Sequence, residues 1–135
     1  MSAESSRFRT PLSRARGLGA AKTGVGHFIG QRTSAVALTF LLLWGVWAAL
    51  RIGALGYDDT AAWLRSPLNA TPLLLLLGVG FYHVQLGVRV IIEDYVHTPI
   101  AKTLALLGNF YLALGAFVIA ALSVLKVAFS ISGAV

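Results

Sequence analysis

Three long stretches without a lysine, arginine, aspartate or glutamate constrain this sequence most. They cover residues 33–50, 66–88 and 103–125 and contain 18, 23 and 23 residues. A helix rises about 1.5 Å per residue and the hydrocarbon core of a bilayer is about 30 Å thick, so stretches of this length suit transmembrane helices. Lipid offers the backbone no hydrogen-bond partner, which leaves the helix as the structure that satisfies its own polar groups. The sequence therefore predicts an all-α membrane protein with three transmembrane helices.

The predicted spans divide the chain into three parts. Residues 1–31 form a basic amino-terminal arm, residues 32–128 form the three-helix anchor, and residues 129–135 form a short tail. Glycines in the arm argue against one continuous helix there, because glycine has a low helix propensity. Within the anchor, the spans are expected at about residues 33–52, 68–92 and 102–126.

Composition supports the membrane assignment and excludes several kinds of site. Hydrophobic residues make up 57% of the 135 residues and charged residues only 12%, which is too apolar for a soluble domain of this size. The chain has no cysteine. Disulfides, thiolate zinc sites and cysteine-bound iron–sulfur clusters are therefore excluded for this chain.

The net charge of +6 is concentrated at the amino terminus. Such a cluster follows the positive-inside rule and attracts anionic lipid headgroups, so we expect the amino terminus and the 93–102 connection in the cytoplasm. The 51–66 connection and the carboxyl terminus then face outward. Nucleic-acid binding is the weaker interpretation, because no motif supports it. Six of the eleven basic residues precede the first span: Arg7, Arg9, Arg14, Arg16, Lys22 and Arg32.

Prolines and glycines indicate how the spans begin and pack. Pro67 and Pro72 fall at the start of the second span, where the first amides lack internal partners. Pro99 forbids one continuous helix through the second and third spans. Residues 51–66 are expected to form a short polar connection. Glycines within the spans favour close packing with other helices, which predicts a hetero-oligomeric partner.

His83 is the only histidine, acidic or basic residue between positions 66 and 88. Gly80, three residues before it, and Gly87, four residues after it, share its face of a helix. An imidazole between two glycines leaves bare helix surface beside a metal ligand, which suits a flat macrocycle such as haem. The alternative is a histidine that only forms a hydrogen bond across a helix interface. His27 and His97 lie in polar flanks, so a second axial ligand would come from another chain.

The end of the second span carries a polar pair. Asp94 lies eleven residues after His83, roughly 16 Å along the helix axis, and Tyr95 follows it. Together they could provide a hydrogen-bond donor and a proton path to a quinone carbonyl; the alternative is an ordinary polar helix end with an interfacial tyrosine. Arg32 could pair with a haem propionate, or could anchor the first span to headgroups. Ser34 is interpreted as a small polar residue near a helix start.

The pattern His83–x3–Gly87–x6–Asp94–Tyr95 resembles the signature of the smaller, cytochrome b membrane-anchor subunit of succinate dehydrogenase. Other segments agree. Residues 9–38 are similar to the amino-terminal region of the alphaproteobacterial form, and VIIEDYVH, residues 90–97, is similar to the exit of its second helix. The similarity covers roughly residues 7–100, and the third span matches only as an apolar helix.

The resemblance implies a role for each matching residue. His83 would be an axial ligand of haem b, with the other ligand a histidine on the larger anchor subunit, and Gly87 would pack against the haem. Tyr95 would donate a hydrogen bond to a ubiquinone carbonyl, with Asp94 as its acidic neighbour. Arg32 would lie near the haem propionates and the quinone pocket.

The resemblance also implies the setting. The chain would be a non-catalytic anchor of succinate dehydrogenase, a respiratory and tricarboxylic acid cycle complex, in the bacterial inner membrane. Its partners would be a flavoprotein subunit, an iron–sulfur subunit and a second cytochrome b anchor subunit, with electrons from succinate reducing ubiquinone. The alternatives are a haem-free structural anchor or assembly subunit and a fumarate reductase anchor. A transporter subunit would need several polar groups within the membrane, which spans one and three do not supply.

Overall fold

The computed structural model describes Leu12 and residues 24–129. Predictions for the rest of the arm before residue 24, and for the tail beyond residue 129, lie outside these residues. The predicted all-α architecture with three membrane-spanning helices is confirmed, since three helices of the described residues are long and apolar enough to cross a bilayer. The helices of the described residues are α1 (Gly24–Gly53), α2 (Tyr57–Arg65), α3 (Pro67–Tyr95) and α4 (Pro99–Ala128).

The first helix begins earlier than the predicted start of its span at about residue 33. Residues 24–31, assigned to the arm from sequence, continue α1 without a break. Gly30 has a packing role, because a Cβ there would come within 2.7 Å of the hydroxyl of Tyr82 and 3.4 Å of a methyl group of Leu86. The contact between α1 and α3 therefore gives a reason for glycine at position 30 despite its low helix propensity.

The connection between the first two spans contains a short helix that the sequence did not indicate. Asp58 and Asp59 lie in the first turn of α2 and Arg65 in its last turn, an order that complements the helix dipole. Ala61 and Leu64 are its buried residues. Nine residues are too few to show a clear helical period, so the sequence predicts only a short polar connection here.

Aromatic contacts attach α2 to the end of α1. The ring of Trp63 stacks on that of Trp44, with centroids 6.1 Å apart and planes 20° apart. Trp47 meets the same ring at 6.4 Å and 51°. Tryptophan is favoured at the membrane–water interface because it is apolar with one polar N–H group. These contacts hold α2 against the end of α1, and the tryptophans gathered there suit that interface.

Prolines begin the other two spans. Pro67 is the first residue of α3, at the start of the second span as the sequence predicted. Pro99, which the sequence predicted to interrupt the helix between the second and third spans, is the first residue of α4. Pro72 lies further inside α3, and its ring has no N–H for the carbonyl of Leu68. Leu68 is exposed near the start of the helix, where water or headgroups can bind that carbonyl.

The third helix is central because it packs against both α1 and α4. The side-chain amide of Asn109 on α4 donates a hydrogen bond of 2.9 Å to the carbonyl of Gln85 on α3. On the other side, a Cβ at Gly45 would lie 2.8 Å from a methyl group of Leu76. Few side chains are buried within the chain, and α4 has none. Lipid and other helices must therefore cover most of the apolar surface.

Replacing Trp63 by alanine should release α2 from α1. Loss of aromatic contacts worth about 0.5–1.5 kcal/mol would increase the undocked population about two- to tenfold. Trypsin cleavage after Arg51 and Arg65, both exposed, should accelerate by that factor in the detergent-solubilised complex. Tyr57→Ala is the control, because Tyr57 belongs to the same helix and is exposed. Equal cleavage rates in the Trp63→Ala and Tyr57→Ala variants would contradict the role of Trp63 in docking α2 on α1.

Candidate functional site

His83 on α3 and Ser34 on α1 meet across the helix interface. The Oγ atom of Ser34 lies 2.8 Å from Nδ1 of His83, although the two residues are 49 positions apart in sequence. Ser34 is 5% exposed and is the buried polar residue of the described chain. His83 is half-buried, so one edge of its ring faces α1 while the remainder stays accessible beyond this chain.

The hydrogen bonds around Ser34 favour one tautomer of the imidazole. The Ser34 hydroxyl donates to the carbonyl oxygen of Gln31 at 3.1 Å. A hydroxyl has one proton to donate, so its contact with His83 is satisfied when Nδ1–H donates to the serine oxygen. Within residues 24–129, Nε2 of His83 makes no hydrogen bond. This arrangement leaves an unprotonated Nε2, the form that can bind a metal.

The glycines on either side of His83 leave helix surface open, as the sequence predicted. A Cβ at Gly80 would meet no atom within 4 Å. A Cβ at Gly87 would meet one, Nε2 of Gln31, at 3.9 Å. Neither glycine is therefore required for contact between helices of this chain. The surface beside the imidazole remains available to a group from outside it.

A cavity of about 410 Å³ lies between the first turns of α1 and the last turns of α3. Its charged and titratable side chains are His27, Arg32, Arg89 and Glu93. The Arg32 guanidinium lies 5.3 Å from the centroid of the Phe28 ring. Arg89 is paired with Glu93, so Arg32 carries the unbalanced positive charge of the cavity, which suits carboxylate or phosphate groups.

The residue Gln31 connects the cavity to the His83 contact. Its carbonyl accepts the Ser34 hydrogen bond, and its side chain lines the cavity. The side-chain oxygen of Gln31 is buried, and it has no hydrogen-bond partner among the described residues. A buried amide oxygen of this kind normally accepts a hydrogen bond, so a donor from outside the chain would fit here.

The end of α3 is attached to the start of α4 by charged groups. Nε of Arg89 lies 2.7 Å from a carboxylate oxygen of Glu93, one helical turn later. Nζ of Lys102 donates to the backbone carbonyl of Glu93 at 2.7 Å. The lysine thus binds one of the last carbonyls of α3, where a cation is favoured by the helix dipole.

Asp94 and Tyr95 lie at the very end of α3. Tyr95 is its last residue and is 78% exposed, and Asp94 is also exposed. Neither residue lines the cavity that contains Arg32. The structure therefore places the predicted quinone residues at the same end of the bundle as Arg32 but does not assemble them into one pocket. Residues from other chains would have to complete such a site.

The described part of the chain has no group of three or more acidic or histidine side chains placed to hold a metal ion. Haem iron requires much less from the protein, because the porphyrin supplies four nitrogen ligands and the protein one or two axial ones. One accessible imidazole nitrogen is therefore a sufficient contribution from this chain.

These features define a class of protein: a three-span membrane subunit with a ligand-type histidine at depth and a cationic cavity near one end. Residues 6–127 match the family described as succinate dehydrogenase/fumarate reductase transmembrane subunit. The chain belongs to that family, and the resemblance found in the sequence is confirmed.

Curated relatives agree with the family match. A chain from Rickettsia bellii is 34% identical over 89 residues, covering 66% of this chain and 71% of the relative. One from Paracoccus denitrificans is 38% identical over 90 residues, covering 66% and 69%. One from Rickettsia conorii is 29% identical over 117 residues, covering 84% and 93%. All three are named succinate dehydrogenase hydrophobic membrane anchor subunit. No solved structure gives a significant match.

The assignment as a membrane anchor of an oxidoreductase complex, without a catalytic function of its own, is thus confirmed. Sequence reasoning had missed three contributors to the candidate site: Ser34, Gln31 and Arg89. A signal for Ser34 was present in the sequence, because it and His83 are both polar residues of apolar spans. The predicted start of the first span near residue 33 placed Ser34 at the rim. The helix itself begins at Gly24, which places Ser34 ten residues inside α1.

The geometry predicts which loops share a side of the membrane. The chain has no natural cysteine, so single cysteines can be labelled individually with a membrane-impermeant maleimide. Gly26→Cys and His97→Cys, both at exposed positions, should react from one face in oriented vesicles, and Gly56→Cys from the other face. Labelling of all three from one face, detected on the band of this chain, would contradict three spans.

Proposed function

We propose that this chain anchors a succinate:quinone oxidoreductase, binds haem b jointly with a second anchor subunit, and contributes to the ubiquinone site. The observation that supports it most is the contact between His83 and Ser34. This contact occupies Nδ1 of His83. The other ring nitrogen, Nε2, is then left as the metal ligand, at membrane depth and beside the open surface of the two glycines. Haem b, when bound, would supply one-electron redox chemistry.

The cavity near the end of the bundle suits the acidic edge of a haem. Arg32 and Arg89 supply guanidinium groups, and His27 supplies a third nitrogen donor group. Arginine binds carboxylates through paired hydrogen bonds, so these residues would hold propionates. Leu86 and Val90, on the next turns of α3 after His83, provide the apolar wall of the same cavity. The donors thus lie one to two helical turns from the proposed ligand.

Tyr95 and Asp94 would serve the quinone. An exposed phenol at the end of a membrane helix lies at headgroup level, where both water and a lipid-soluble substrate are present. The Tyr95 hydroxyl would donate a hydrogen bond to a quinone carbonyl as negative charge develops on its oxygen. Asp94 would hold water or relay protons from the aqueous side. Other subunits would supply the remaining groups.

The partners follow from the anchor role. We infer a flavoprotein subunit, an iron–sulfur subunit and a second anchor subunit in the bacterial inner membrane, with the amino terminus in the cytoplasm by the positive-inside rule. The exposure of α4 supports partner helices, because Gly108 and Gly115 would meet no atom within 4 Å if each carried a Cβ. The relatives' names favour succinate dehydrogenase over fumarate reductase as the physiological direction.

A haem-free structural anchor is the second candidate. The hydrogen bond between His83 and Ser34 also favours it, because it gives the buried imidazole a partner without any metal. The two candidates differ in what occupies Nε2. Substitution of His83 separates them, since only a ligand leaves a spectral signature when it is removed.

The change His83→Ala should abolish or alter the low-spin haem spectrum of the purified complex. Removing an axial imidazole leaves the iron without one strong-field ligand. Reduced-minus-oxidised optical spectra and EPR measure this directly. His97→Ala is the control, because His97 lies on the exposed connection after α3. An unaltered spectrum in His83→Ala would reject the ligand assignment.

The change Tyr95→Phe should reduce quinone turnover about 100-fold, the typical cost of removing one positioned hydrogen-bond donor. The variant should still assemble and oxidise succinate with an artificial acceptor, because Tyr95 is exposed and holds no helix contact of the fold. Tyr57→Phe, on the opposite face of the membrane, is the matched control. Wild-type quinone turnover in Tyr95→Phe would remove Tyr95 from the site.

A further inference from the structure

We propose that Ser34 is the positioning residue of the haem ligand: it fixes the tautomer and ring orientation of His83 by accepting a hydrogen bond from Nδ1. This inference rests on the proposed function, because it gives Ser34 a role only if Nε2 of His83 binds iron. The family resemblance described above implies no role for Ser34.

The first step is geometric. The Ser34 oxygen lies 2.8 Å from Nδ1 of His83, and the same hydroxyl lies 3.1 Å from the carbonyl oxygen of Gln31. A carbonyl only accepts hydrogen bonds, so both contacts are satisfied together when the serine proton points to Gln31 and the serine oxygen accepts from Nδ1–H. The two hydrogen bonds then run in one direction: Nδ1–H of His83 donates to the Ser34 oxygen, and the Ser34 hydroxyl donates to the carbonyl of Gln31. They hold the proton on Nδ1 and leave the lone pair on Nε2.

The second step is electrostatic. Ser34 is 5% exposed, so the Nδ1–H bond is not exchanged with bulk water. A ligating histidine that donates its second N–H to an acceptor is a more basic ligand, and its ring is held against rotation. A more basic ligand favours ferric over ferrous iron. Removing the acceptor should therefore raise the haem reduction potential and loosen the axial imidazole.

The third step concerns the alternative role for a serine within a helix. Serines in apolar helices often donate only to a carbonyl of the preceding turn, with no further function. Ser123 on α4 does this, with Oγ 2.8 Å from the carbonyl of Ile119, and it is exposed. Ser34 makes the same kind of local bond but adds the contact to His83. Ser123 is therefore a matched control.

The test compares Ser34→Ala, Ser34→Thr, Ser34→Val and Ser123→Ala in the intact purified complex. Threonine and valine have nearly the same shape, and only threonine retains the hydroxyl. Three readouts apply: the haem reduction potential, the EPR g-values, which report axial ring orientation, and the rate of haem transfer to apomyoglobin.

We expect Ser34→Ala and Ser34→Val to raise the potential, shift the g-values and weaken haem retention about 10- to 100-fold. Ser34→Thr and Ser123→Ala should match the wild type. If the complex with Ser34→Ala does not assemble, the comparison of Ser34→Thr with Ser34→Val tests the role of the hydroxyl. Wild-type potential, g-values and retention in the variants that lack the hydroxyl would overturn the role of Ser34.

A separate outcome identifies failure of the proposed function. If the wild-type complex shows no low-spin haem, or if His83→Ala leaves its spectrum unchanged, the ligand assignment fails and the role of Ser34 fails with it. If His83→Ala removes the low-spin signal while all Ser34 variants match the wild type, the proposed function stands and only the positioning role is rejected.

Discussion

The hydrogen bond between Ser34 on α1 and His83 on α3 is the interaction on which the rest of the site depends. It requires the two helices to approach closely, and Gly30 and Gly45 allow this, because a Cβ at either position would come within 3 Å of an α3 side chain. The central position of α3 in turn leaves its open glycine surface beside the imidazole. Close packing and open helix surface are therefore both found on a single helix: the first follows from glycines of α1, and the second from Gly80 and Gly87 of α3 itself.

Much of the fold could be predicted from the sequence because lipid limits a spanning chain to helices. The three uncharged stretches and the positions of Pro67 and Pro99 were sufficient for the number and order of the spans. Two features required tertiary information. Residues 24–31 form a helix although glycine has a low helix propensity, and the packing of Gly30 on α3 is a tertiary contact that this propensity does not include. The short helix α2 depends on the stacking of Trp63, which comes from a distant contact with α1.

The site was predictable in its chemistry but not in its assembly. His83 stands out because a titratable side chain at membrane depth is rare, and the resemblance to a family of anchors adds the roles of Arg32, Asp94 and Tyr95. Ser34 is visible as a polar residue of an apolar span, but its pairing with His83 is a contact between residues 49 positions apart that sequence alone does not reveal. The cavity that contains Arg32 does not include Tyr95, so the described residues of this chain do not bring the predicted site residues together.

The 49 residues that separate Ser34 from His83 have a consequence for biogenesis. While the ribosome has delivered only α1, the serine has no imidazole beside it. The pair forms only after the second long helix has inserted next to the first. The last helix supplies neither member of the pair, so the contact does not have to wait for its insertion.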